Sequence, residues 1–187
     1  MKKISIYLTF SLITIALMIG VGLGYALTPE YQANMYNKNG MDLGAADFFL
    51  DRRYLNAMIT HHEQAINLAK QAEALSQRQE IKDLAADIIA NEPKLIDELY
   101  AYKKSWYRDK RPAPSPRRQN LGTEGETFDL RFLNALIAHH EEGVNMAKEI
   151  KTKSSRTEIL DNADEVINFL NNSLTTLRSW RLDWYQV

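Results

Sequence analysis

All four histidines of this 187-residue chain occur in two adjacent pairs, His61-His62 and His139-His140. The pairs hold equivalent positions in an internal repeat. The first copy reads DRRYLNAMITHHEQAINLAK over residues 51–70, and the second reads DLRFLNALIAHHEEGVNMAK over residues 129–148. Neutral imidazole is the commonest metal ligand in proteins and suits copper, zinc, nickel or iron. We therefore predict that the four histidines hold one metal site together.

Two methionines lie at helical spacing from the histidine pairs. Met58 precedes His61 by three residues and His62 by four, and Met146 follows His139 by seven. Residues at these spacings share one face of a helix, and soft thioether sulfur selects Cu(I). Copper is therefore the predicted ion, with zinc or no metal as the alternatives. The predicted ligands are His61, His62, His139, His140, Met58 and Met146. Met35 and Met41, further upstream, could assist metal capture.

Carboxylates follow both histidine pairs, at Glu63, Glu141 and Glu142. They are either outer partners of the imidazoles or solvated side chains, and the sequence leaves both interpretations open. Di-iron bundle enzymes need Glu-x-x-His on two helices, but Met58 and Leu136 stand three residues before the two histidine pairs. The zinc-protease motif His-Glu-x-x-His is absent too. We expect no enzyme activity.

The overall composition narrows the class of protein. The chain has no cysteine, which excludes disulfides, thiolate metal sites and cysteine nucleophiles. Its formal net charge of −1 gives no global field that would favour nucleic acid as a partner. Metal coordination by imidazole and thioether therefore remains the chemistry to which the sequence points.

The N-terminus has the pattern of an export signal. Lys2 and Lys3 precede an almost unbroken apolar run from Ile4 to Leu27. Roughly 20 apolar residues span a bilayer, which favours an uncleaved membrane anchor over residues 1–27. A signal peptide cleaved after Ala26 is the alternative. Both place the remaining chain on the extracytoplasmic, periplasmic side, either attached to the membrane through this helix or released.

The repeat defines the predicted architecture. A constant shift of 78 residues aligns residues 51–107 with 129–185 without a gap, and apolar residues recur at helical spacing. We predict an all-α, ferritin-like four-helix bundle of two duplicated helical hairpins related by a pseudo-twofold axis. Residues 28–46 form a tether and residues 47–187 the bundle. The bundle divides into repeat one (47–108), a linker rich in proline and glycine (109–126) and repeat two (127–187).

Two finer expectations concern the helix ends. Ser155-Arg156-Thr157-Glu158 is typical of a capping box that opens the fourth helix. Six aromatic residues near the repeat ends are expected to close the bundle end remote from the start of the first helix. They are Tyr102, Trp106, Tyr107, Trp180, Trp184 and Tyr185.

The stretch LNAMITHHEQAINLAK resembles the signature of the domain-of-unknown-function-305 family, with its Met-Ile-x-His-His core. The resemblance covers both repeats and implies a ferritin-like bundle, export, and copper binding as in periplasmic members linked to copper resistance. It implies ligand roles for the same four histidines, Met58 and Met146. Leu68 and Leu136 depart from the pattern, because each occupies a methionine position of the other copy.

The sequence thus predicts an exported metal-binding protein that buffers copper through paired histidine and methionine residues. One alternative is a structural or interaction module at the membrane surface that holds no metal and uses its histidine pairs as a pH-responsive contact. A metalloenzyme with a water-open metal position is the third interpretation.

Overall fold

The computed structural model describes residues 43–187, which fold into four α-helices without any strand. These are α1 (Leu50–Leu75), α2 (Gln79–Tyr107), α3 (Phe128–Lys153) and α4 (Thr157–Tyr185). The all-α four-helix prediction is confirmed. The predicted N-terminal helix and most of the predicted tether lie outside the described residues. Within residues 43–187, no helix has both the length and the apolarity needed to cross a membrane.

The two hairpins pack through α1 and α3, which run antiparallel. Asp51 in the first turn of α1 accepts hydrogen bonds from Ser154 Oγ (2.7 Å) and Arg156 Nε (3.1 Å), just after the end of α3. Asp129 in the first turn of α3 pairs with Arg78, just after the end of α1 (3.8 Å). A shift of 78 residues converts one ion pair into the other. The pseudo-twofold axis therefore crosses the bundle between α1 and α3, roughly perpendicular to both.

The core divides into two halves that this axis exchanges. The first half-core contains Leu50, Tyr54, Leu55, Met58, Ile59, Met146, Ala147, Ile150, Ile159 and Ala163. The second half-core contains Leu68, Ala69, Ala72, Ile81, Ala85, Phe128, Phe132, Leu133, Leu136 and Ile137. Each member of one list is the 78-residue equivalent of a member of the other. The repeat is therefore a repeat of packing as well as of sequence.

The antiparallel arrangement corrects the expectation for the aromatic residues. Trp106 stacks on Tyr102 at 4.6 Å and lies under the Arg156 guanidinium at 4.2 Å, at the end where α1 begins. Trp184 lies under the Arg78 guanidinium, also at 4.2 Å, at the opposite end. The prediction that all six close one end is wrong, because the axis places the ends of α2 and α4 at opposite ends of the bundle.

The predicted capping box is wrong as well. The N-cap of α4 is Arg156, whose side chain makes no capping hydrogen bond. Instead Ser154 Oγ accepts a hydrogen bond from the Arg156 backbone N–H (3.2 Å) while it donates to Asp51. The hairpin turn is therefore fixed by the contact between the two repeats rather than by a local box.

The repeat extends further upstream than the sequence comparison indicated. Leu43 is buried, and its N–H donates to Glu149 Oε1 on α3 (3.0 Å). The equivalent Leu121 is also buried, and its N–H donates to Gln71 Oε1 on α1 (2.9 Å). Each leucine thus fastens the segment before one His-bearing helix to the other His-bearing helix. The two contacts support the antiparallel α1–α3 pair that positions the histidines.

Candidate metal centre

The histidine pairs meet at the centre of the molecule. The rings of His61 and His139 stack with centroids 3.7 Å apart and planes inclined by 15°. Each ring also lies close to its sequence neighbour, with centroids 6.0 Å apart in the first pair and 5.9 Å in the second. All four histidines are buried. Because α1 and α3 cross at the pseudo-twofold axis, the equivalent residues His61 and His139 face each other across it.

Several ring nitrogens in this stack lack a hydrogen-bond partner among residues 43–187. His61 Nε2 donates to the backbone oxygen of His139 (3.0 Å), which leaves Nδ1 as the lone-pair nitrogen. This nitrogen has no partner. The two ring nitrogens of His139 and Nδ1 of His140 have none either. A buried polar atom without a partner costs roughly 1–3 kcal/mol. A neutral imidazole has one lone-pair nitrogen, so His61 and His139 each bring one that a metal ion could bind.

A carboxylate that sequence analysis missed holds one of the imidazoles. Glu92 on α2 accepts a short hydrogen bond from Nδ1 of His62. Since an ionised carboxylate can only accept, Nδ1 of His62 carries a proton, and in the neutral ring the lone pair is then on Nε2. Histidines that ligate metals commonly donate their other N–H to a carboxylate in this way. In the second repeat Leu170 occupies the position of Glu92, so the contact to His62 has no equivalent there.

Burial keeps the central imidazoles neutral. Desolvation is the main cause that lowers the pKa of His61 to about 3, and the neighbouring His62 contributes. Desolvation also lowers the pKa of His140 to about 4 and moves the pKa of His139 well below its ordinary value. Only neutral imidazole offers a lone pair to a metal. These three side chains therefore present ligand nitrogens throughout the physiological pH range.

A glycine makes room for the stack. A Cβ added at Gly143 would lie 2.7 Å from Nε2 of His61 and 2.6 Å from Cδ1 of Leu170. Neither approach is compatible with van der Waals contact, and the ring of His61 is confined by its neighbours. The equivalent position in the first repeat is Ala65, which is also small and buried. Small residues at these positions let α1 and α3 approach closely enough for the rings to stack.

The two predicted methionine ligands are buried in the first half-core, Met58 completely and Met146 almost so. Of the predicted outer carboxylates, Glu141 is exposed and binds Arg178 at 2.6 Å. Burial raises the pKa of Glu63, which is half-buried. The outer carboxylate that the structure places directly on an imidazole is Glu92 instead.

Imidazole and carboxylate groups do not by themselves form a complete metal cage here. Within residues 43–187, no three side chains of His, Asp or Glu converge so that they could hold an ion. At most two imidazole or carboxylate groups could therefore reach one ion, and further ligands would have to come from another side-chain type. The thioethers of Met58 and Met146 are the soft donors that the same helices carry, and they suit Cu(I).

The fold and site define a class of protein: a duplicated helical hairpin with a buried histidine stack where the copies meet. The sequence model of the family described as domain of unknown function (DUF305) matches residues 51–123 and 115–181. The chain belongs to this family. No curated protein matches the sequence.

Solved structures with the same fold are similar to this chain. One is CopM in the Cu(I)-bound form, with 29% identity and a TM-score of 0.65 over 72% of this chain and 97% of that chain. CopM in the Cu(II)-bound form has 27% identity and a TM-score of 0.63 over the same shares. A DUF305 fragment from Deinococcus radiodurans shares the fold, with 20% identity and a TM-score of 0.58 over 73% of this chain and 97% of the fragment.

Proposed function

We propose that this protein binds and buffers copper on the extracytoplasmic side of a membrane, without catalysis. The observation that carries the proposal is the buried stack of His61 on His139, whose ring nitrogens largely lack partners within the described residues. CopM, to which the chain is similar over nearly all of that protein's length, has been solved with Cu(I) and with Cu(II). Both copper states accept imidazole ligands.

The hydrogen bonds support a choice of the ring nitrogens that would hold the ion. His61 would use Nδ1, because its Nε2–H donates to a backbone carbonyl. His62 would use Nε2, because its Nδ1–H donates to Glu92. Met58 and Met146 would add sulfur, which stays unprotonated and suits an oxidising compartment. This mixed nitrogen and sulfur set favours Cu(I) over zinc.

Export is part of the proposal and rests on the sequence. The apolar run from Ile4 to Leu27 follows two lysines, and the chain has no oxidisable thiol. A copper buffer in that compartment needs ligands that tolerate oxidising conditions, and imidazole and thioether are suited to this. The run would hold the bundle at the membrane, or deliver it to the periplasm if it is cleaved.

The copper proposal is tested by titrating the full-length protein with Cu(I) against a chromophoric chelator. We expect His62→Ala/His140→Ala to weaken binding at least about 100-fold, because loss of an outer partner of one ligand alone costs roughly 10–100-fold. The matched control is Asn67→Ala/Asn145→Ala, an exposed and equivalent pair on the same two helices. Equal affinity of the wild type and the histidine variant would refute the proposed function.

Glu92 gives a second expected result. Glu92→Leu copies the residue found in the second repeat, and we expect it to lower copper affinity by roughly 10–100-fold, because His62 loses the acceptor that fixes its tautomer. Glu92→Gln keeps an acceptor without the charge, and its copper affinity should lie between those of the wild type and Glu92→Leu. The ¹⁵N shifts of the His62 ring report the tautomer directly. Asp97→Leu, at an exposed position on the same helix, is the control; a similar loss in that variant would show that Glu92 has no specific role.

A further inference from the structure

The methionines break the internal symmetry in a systematic way. Met58 is equivalent to Leu136, and Met146 is equivalent to Leu68, so each copy has one thioether at a different position. In the sequence alone, two of the four equivalent positions carry methionine and the other two carry leucine, with no evident order. In the structure both methionines belong to the first half-core and both leucines to the second.

Helix geometry explains why the two methionines end on the same side of the histidine stack. Met58 lies three residues before His61, about 4.5 Å along α1, and Met146 lies seven residues after His139, about 10.5 Å along α3. Since α1 and α3 run antiparallel, a step backward on one and a step forward on the other lead toward the same end of the bundle. Leu68 and Leu136 lie on the opposite side for the same reason.

We propose that the protein binds a single Cu(I) ion, on the side of the His61–His139 stack that carries both thioethers. This rests on the proposed copper function and adds its stoichiometry and its place. The half-core on that side contains both thioethers. The opposite side offers only leucine, and imidazole and carboxylate groups of the described residues do not form a cage without sulfur.

The first test follows the methionine methyl groups by NMR in the full-length protein. Ag(I) is the probe, because it is a soft, diamagnetic ion with no redox chemistry under these conditions. One equivalent of Ag(I) should shift the methyl signals of Met58 and Met146 together and complete the titration. Met1 and Met18, which are not among the proposed ligands, serve as internal controls. A second tightly bound equivalent, or unchanged Met58 and Met146 signals during binding, would overturn the one-sided site.

The second test moves one thioether without changing the number of methionines. Met58→Leu/Leu136→Met places one sulfur on each side of the stack, and exchange between leucine and methionine is among the best tolerated core changes. We expect Cu(I) affinity to fall at least roughly tenfold, the lower bound for losing even an outer partner of a ligand. Wild-type affinity in this variant would show that the number of sulfurs matters and their side does not.

A third variant tests for a gain of binding. Leu68→Met/Leu136→Met adds thioethers to the second half-core at the positions equivalent to Met146 and Met58. We expect this variant to bind more Cu(I) than the wild type, and an unchanged capacity would count against the role of the thioethers. The two proposals fail in different ways. Absence of Cu(I) binding by the wild type refutes the copper function, whereas binding that ignores the methionine positions refutes the one-sided site alone.

Discussion

Replacing His61 and His139 together by leucine is expected to stabilise the copper-free protein while it abolishes copper binding. The two imidazoles bury three ring nitrogens without partners among the described residues. Each such atom costs roughly 1–3 kcal/mol, whereas apolar groups of similar size carry no such penalty. The backbone oxygen of His139 loses the His61 N–H but lies within α3, where it also accepts a helical hydrogen bond. We expect the free energy of unfolding to rise by about 1–3 kcal/mol.

With copper bound, the wild type should become more stable than His61→Leu/His139→Leu. A ligand that binds only the native state stabilises it by RT ln(1 + [L]/Kd), which is about 4 kcal/mol at a thousandfold excess over Kd. The wild type gains this energy and the leucine variant does not. Urea unfolding with and without copper, under anaerobic conditions for Cu(I), measures both effects in one pair of proteins.

The matched control for this experiment is Leu55→Ile/Leu133→Ile, an equivalent pair of buried residues elsewhere in α1 and α3. It tests whether any double core substitution at equivalent positions changes stability in the same way. If the histidine variant is less stable than the wild type without copper, the stacked imidazoles stabilise the copper-free fold, and the expected energetic cost of burying them is absent. If it still binds copper with wild-type affinity, the stack is not the binding site.

The helices were predictable from sequence because helical spacing of apolar residues is a local property. The 78-residue repeat shows the same spacing twice. The expectation that all six aromatic residues lie at one end implied parallel α1 and α3 and was wrong, although the length of the linker indicates the opposite direction. Residues 109–126 could extend roughly 60 Å, whereas the length of one helix is about 40 Å. The linker indeed follows α1, where Pro114 accepts from Thr60 and Gln119 from Gln71. A linker that crosses the whole bundle makes α1 and α3 antiparallel.

The histidines were found because four imidazoles at equivalent positions are rare. Glu92 was missed because it lies 30 residues from His62 and because charged residues are common on helix surfaces. Its position did contain information. It falls four residues after Ile88, on the stripe that buries α2, and its equivalent in the second repeat is Leu170. A charged residue at an inward position, where the other copy has an apolar one, indicates a buried partner.

Acid should unfold the copper-free protein through the same histidines. In the unfolded chain a histidine has a pKa near 6.5, but burial holds the native pKa of His61 at about 3 and that of His140 at about 4, and lowers that of His139. Between these values the unfolded chain binds protons that the native protein does not. Stability is therefore complete above about pH 6.5 and falls as the pH falls toward the native values.

The expected loss of unfolding free energy on acidification is large compared with the roughly 5–15 kcal/mol that is typical of a folded domain. Each of the three histidines contributes up to about 1.4 kcal/mol per pH unit, so together they give a slope that approaches about 4 kcal/mol per pH unit toward pH 5. Urea unfolding between pH 5 and 6.5 isolates them, because carboxyl groups of the unfolded chain titrate near pH 4. In His61→Leu/His139→Leu only His140 of the three remains, and the slope should fall to about 1.4 kcal/mol per pH unit. An equal slope in both proteins would mean that other groups cause the acid sensitivity, and the neutral state of the stack would then have no support.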